Sequence, residues 1–197
     1  MNDPPAAADC ELIGNGFLGQ PVNAISSLTF VLVGLLLMRR RPVLGWAGIA
    51  VGFGSFLFHG PMPGWGKWAH DVSLALVAVA IAFEARPRVV AVITGAVAAV
   101  FAIWPGVAQA VTAILAIESA AIVFARRSQI RTGPGVAAAL MLVAGAVIAA
   151  LSRSGGLLCD PDTIVQGHGV WHLLAAGALW LWTLASERAP AELRPRS

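Results

Sequence analysis

The sequence predicts an all-α membrane protein, a seven-transmembrane helix bundle with its N-terminus outside and its C-terminus cytoplasmic. Three observations predict it: seven apolar runs of spanning length, proline and glycine punctuation between them, and a lopsided distribution of arginine and lysine. Hydrophobic residues make up 58% of the chain and charged residues 12%, with a mean hydropathy of +0.79. Soluble globular proteins do not have this composition. The isoelectric point near 9.7 does not imply a nucleic-acid partner, because the basic residues stand in short clusters between apolar runs rather than over a solvated face. The 197 residues have room for one domain, divided into an extracytoplasmic segment (1–21), the helix bundle (22–185) and a cytoplasmic tail (186–197).

A helix crossing the hydrocarbon core takes about 20 apolar residues, with about 17 to 25 tolerated. The runs that qualify cover 22–38, 43–59, 69–85, 88–104, 107–125, 134–152 and 165–185. The stretch before the first, Met1 to Glu11, is acidic and proline-rich, unlike the basic start of a cleavable signal, and Arg39, Arg40 and Arg41 follow the run. The first span is therefore expected to be retained. Pro42, Pro87, Pro105, the Gly133-Pro134 pair and the Gly155 to Pro161 stretch mark the breaks between helices. Small residues, including Gly95, Ala96, Ala98, Ala99 and the Ala137 to Ala150 region, are expected to let neighbouring helix backbones approach closely.

Basic residues in short loops stay on the cytoplasmic side. Arg39, Arg40, Arg41, Arg86, Arg88, Arg126, Arg127, Arg131, Arg188, Arg194 and Arg196 fall on one side of the predicted spans, and only Lys67 and Arg153 on the other. Odd-numbered spans thus run inward. Cys10 and Cys159 both fall on the outer side, where an oxidising compartment preserves disulfides. Two readings remain open, a bond fastening the amino-terminal segment over the mouth of the bundle, or two unpaired thiols. The alanine- and arginine-rich composition suggests a bacterial inner membrane with this side facing the periplasm.

Ionisable residues within spans are costly, and each is a candidate functional residue. The four histidines share one membrane level. His59 ends the second span, His70 and Asp71 open the third, and His168 and His172 lie in the first turns of the seventh. The His168-x-x-x-His172 spacing puts two imidazoles on one helical face, within reach of a single ion. His59 offers a third imidazole, with the Ser55 hydroxyl one turn below it. Three histidines leave one tetrahedral position open, as in catalytic rather than structural zinc sites. Water there would be acidified by the ion. Each residue also has a plainer reading: an interfacial histidine bonded to a carbonyl, a small packing serine at Ser55, and an aromatic belt for Trp46, Trp180 and Trp182. Mid-span Glu118 fits a proton relay, a substrate contact or a neutral acid paired to another helix.

Ser55-x-x-x-His59, Asp71 opening the next span, and the late His168-x-x-x-His172 resemble the pattern of the alkaline ceramidases. These belong to the superfamily that includes adiponectin-receptor-like proteins. Asp9-Cys10-Glu11 and the Asn23 to Leu28 stretch are also similar to the family's amino-terminal region. The resemblance covers nearly the whole chain. It implies a seven-helix amidase with Zn2+ held by His59, His168 and His172, Asp71 as acid/base, Ser55 as the zinc-site serine, and a Cys10–Cys159 disulfide. It gives His70 no counterpart; orienting Asp71 or shuttling protons are roles open to it. The animal enzymes also carry a Ca2+ site built from acidic residues. Asp9, Glu11, Asn15 and Gln20 stand in its place here, with fewer carboxylates at shifted spacing.

The implied substrate is a ceramide-like membrane lipid. Three rivals are a zinc hydrolase of another acyl ester or amide, a non-catalytic lipid receptor with structural zinc, and a b-type haem protein with histidines on facing helices.

Overall fold

A computed structural model describes residues 5–186; the predicted tail and its Arg188, Arg194 and Arg196 lie outside the described residues. Within them the chain forms seven α-helices: α1 (Pro21–Leu37), α2 (Pro42–His59), α3 (Gly66–Phe83), α4 (Pro87–Ile103), α5 (Ala108–Ala125), α6 (Thr132–Leu151) and α7 (Gly167–Ser186). Pro21, Pro42 and Pro87 stand at the first position of α1, α2 and α4, where the missing N–H costs nothing and the fixed φ suits the helix. α5 is led in by a short 3-10 turn, Pro105–Val107. The largest shift from the predicted ends is in α3, which starts at Gly66 because Lys67 and Trp68 interrupt the apolar pattern but not the backbone helix.

Five segments are long and apolar enough to cross a membrane: α2, α3, α5 with its lead-in turn, α6 and α7. α1 and α4 are apolar but 17 residues long.

α1 packs against both α2 and α7, α3 against α2, α4 and α5, and α6 against α7. α1 and α2 approach closely: a Cβ on Gly34 would stand 2.6 Å from the Gly45 carbonyl oxygen. The small residues of α4 play no such part at Gly95, where an added Cβ would meet nothing within 4 Å. Close packing thus falls where helices with buried faces meet, and α4 presents that part of its surface outward. The main apolar core gathers Phe30, Val33, Leu44, Val51, Val79, Ala176 and Leu179.

The two ends of the bundle differ in polarity. At one end Arg41 forms an ion pair with Glu84 and donates to the Thr183 carbonyl and the Ser186 hydroxyl, tying the start of α2 to the ends of α3 and α7. Arg126 donates to the Ala82 carbonyl at the same end. At the other end lie the histidines, covered by the amino-terminal segment. Cys10 and Cys159 are bonded, with Cα atoms 5.4 Å apart, so the disulfide reading holds and the unpaired-thiol reading does not. Ser154 donates its hydroxyl to the Ala7 and Asp9 carbonyls and its N–H to Ala8. Gly19 and Gln20 donate their N–H groups to the Gly60 and His59 carbonyls. The segment is therefore stitched both to the α6–α7 loop and to the end of α2.

Candidate metal centre

His59 is the last residue of α2, and Gly60 caps the helix by donating to the Phe56 carbonyl. His168 and His172 occupy consecutive turns at the start of α7. Because α1 packs on both helices, these ends converge. The His59 ring centroid lies 4.8 Å from His168 and 5.5 Å from His172, and the latter two are 4.7 Å apart. Each imidazole offers a nitrogen within 4.8 Å of the others. His59 and His172 are buried, while the His168 side chain keeps 21% exposure.

The Nδ1 contacts of the three rings share one pattern. Gln20 donates its Nε2 to the carbonyls of Ala6 (3.0 Å) and Glu11 (2.7 Å), which orients its amide so that Oε1 faces His59 Nδ1 at 2.7 Å. An amide oxygen only accepts, so His59 carries its proton on Nδ1. Asp9 Oδ1 lies 3.3 Å from His168 Nδ1 as an ion-pair contact, which favours the proton on Nδ1 there as well. Ser26 donates its hydroxyl to the Asn23 carbonyl and therefore accepts from His172 Nδ1, each at 3.0 Å. All three Nδ1 atoms thus face an acceptor. Nε2 of His59 and of His168 are buried with no hydrogen-bond partner.

Buried nitrogens do not stay unpaired without cause. Metal-ligating histidines anchor the second ring nitrogen on a carboxylate, carbonyl or comparable acceptor, which fixes the tautomer and aims the first. The three rings therefore fit a metal ion. Neutral imidazoles suit zinc, copper, iron and nickel alike, so the donor set defines a metal-binding class and not one metal.

The remaining predicted residues fall around this group. Ser55 is buried one turn below His59, and no hydrogen bond of its hydroxyl is found among the described residues. Asp71 is not within the three-histidine group. Its Oδ1 is 3.2 Å from His70 Nδ1, its Oδ2 pairs with Lys67, and the His70 ring stacks on Phe58 with its centroid 6.3 Å from that of His59. His70 thus stands between Asp71 and the histidine group. Of the residues in the place of the family's calcium site, Glu11 accepts N–H bonds from Val22 and Asn23 on its two carboxylate oxygens, capping α1. Gln20 and Asp9 face the histidines, and Asn15 is exposed. Glu118 lies on an exposed face of α5.

The three imidazoles stand out in the sequence, but the partners that orient them do not. Polar residues concentrated between Asp9 and Ser26, in a chain otherwise poor in them and on the histidine side, were the available signal. The chain matches no protein-family model and no curated protein.

Proposed function

We propose that this chain is a seven-span integral membrane protein, with its histidine end extracytoplasmic, that uses zinc to hydrolyse the amide of a ceramide-like N-acyl lipid. The observation that carries the reading is the convergence of three imidazoles whose Nδ1 atoms each face an acceptor, with Nε2 of His59 and of His168 buried and unpaired. The 17 residues of α1 and of α4 stand at the lower limit of spanning length. The clustering of Arg41, Arg86 and Arg126 at the end opposite the histidines fits a cytoplasmic placement of that end. The resemblance to the alkaline ceramidases supplies the substrate class.

In this reading His59, His168 and His172 hold the ion. Bound there, zinc would act as a Lewis acid on a carbonyl and lower the pKa of water. Asp71, held between His70 and Lys67, acts as the proton acceptor and returns the proton to the leaving amine. His70 orients that carboxylate. The Ser55 hydroxyl, one turn from His59 and with no partner bond of its own, donates to the oxygen on which charge develops. The amino-terminal segment covers the centre and limits water access, and the acyl chains remain among the helices.

The test is metal content together with hydrolysis of ceramide and of acyl-ester lipids, on the wild type and on the His59→Ala, His168→Ala and His172→Ala variants. Each substitution is expected to abolish both. Full activity in a metal-free variant overturns the reading. Retained zinc with no turnover of any acyl lipid favours a receptor with structural zinc.

A further inference from the structure

Asn23 is completely buried, and among the described residues it is the only side chain with both a polar nitrogen and a polar oxygen buried and unpaired. A native interior rarely leaves a carboxamide donor and acceptor both unsatisfied, and a water or a bound ligand is the usual partner. Its place in the helix says where. α1 turns Pro21, Ile25, Leu28 and Leu32 outward and buries Asn23, Ala24, Ser27, Phe30 and Val33. Asn23 therefore lies on the face that packs against α2 and α7. Three residues before it, Gln20 reaches His59 on α2; three residues after it, Ser26 reaches His172 on α7 and bonds the Asn23 carbonyl. Asn23 thus stands in α1 between the two residues whose side chains contact the His59 and His172 rings.

We infer that Asn23 is a specificity residue that selects a secondary amide over an ester at this centre. The inference rests on the acyl-lipid reading above and deepens it. A secondary amide presents one N–H donor and one carbonyl acceptor, and a carboxamide is its complement, with Oδ1 accepting the N–H and Nδ2 donating to the carbonyl or to an adjoining hydroxyl. An ester of the same shape has no donor, and binding it leaves Oδ1 unpaired in the interior. A site built to pair with a group on its ligand discriminates strongly against the isostere that lacks it.

The test compares binding of an N-acyl lipid with that of its matched O-acyl ester, by competition on the zinc-loaded protein in lipid nanodiscs, for the wild type, Asn23→Leu and Asn23→Thr, with zinc content measured alongside. The wild type is expected to bind the amide at least about tenfold more tightly than the ester, and the variants to bring that ratio near one while keeping their zinc. A wild-type ratio near one, or a ratio unchanged in the variants, assigns Asn23 to an ordered water and overturns the proposal. Loss of zinc in both variants makes Asn23 a structural support of the centre and also overturns it. Amide-selective binding that depends on Asn23 but comes with no turnover of either lipid defeats the hydrolase reading and leaves this inference standing; turnover without amide selectivity does the reverse.

Discussion

Asp9 sets a carboxylate oxygen 3.3 Å from Nδ1 of His168, and the residue that follows it, Cys10, is bonded to Cys159 in the loop before α7. Its second oxygen lies 3.9 Å from Nδ1 of His59, so one carboxylate reaches rings carried by two helices. Loss of such a partner typically lowers metal affinity about 10- to 100-fold. Asp9→Ala is expected to show a loss of that size in competition with a metal chelator. Asp9→Asn keeps an oxygen acceptor and is expected to lose less. Equal affinity in the wild type and Asp9→Ala would make the contact incidental.

The disulfide closes a loop with a sequence separation of 149 residues. In the chain-entropy account, a crosslink over a loop of this order stabilises by about 4 to 5 kcal/mol. Its removal should do more than lower the unfolding midpoint, because the segment it holds carries Asp9 and Gln20. Reduction, or the Cys10→Ala/Cys159→Ala double variant, is expected to speed metal release and to open the exposed stretch around Leu12 and Phe17 to proteases. Faster proteolysis with unchanged metal release would separate the clamp from the centre.

The seven helices were legible because apolar runs mark their extents and proline marks the starts of α1, α2 and α4, both local properties of the chain. The histidines were legible as a group because one pair has helical spacing and the third follows from the up-and-down order of the spans. Gln20, Asp9 and Ser26 were not legible as their partners, since those contacts join segments up to 159 positions apart (His168 minus Asp9) and depend on how the amino-terminal segment folds back. Gly95 shows the opposite error. A small residue permits close approach, but only the packing decides whether a neighbour is there.

Orientation is testable without reference to activity. Asp162 lies exposed in the loop before α7 and Gln129 lies exposed between α5 and α6, at opposite ends of the bundle. Both native cysteines are bonded to each other, which leaves an introduced thiol as the reporter. In intact cells Asp162→Cys is expected to react with a membrane-impermeant thiol reagent, and Gln129→Cys only after permeabilisation. The reverse pattern would invert the topology and place the metal centre on the cytoplasmic side.

Asp71 separates a catalytic assignment from a structural one. Its carboxylate is shared between His70 and Lys67, an arrangement that serves equally to hold the start of α3 and to position a proton acceptor. Because it stands outside the three-histidine group, Asp71→Asn is expected to leave metal content unchanged. If the carboxylate moves the proton, that variant loses about 100- to 10,000-fold in kcat, whereas a purely structural ion pair, exposed as it is on the Lys67 side, is worth no more than about 1 kcal/mol. Lys67→Met then decides what the ammonium contributes. It removes the ion pair but keeps the His70 bond, so a proton-transferring Asp71 should retain most of its turnover and show a shifted pH profile. Loss of stability in both variants with turnover intact would confine Asp71 to the fold.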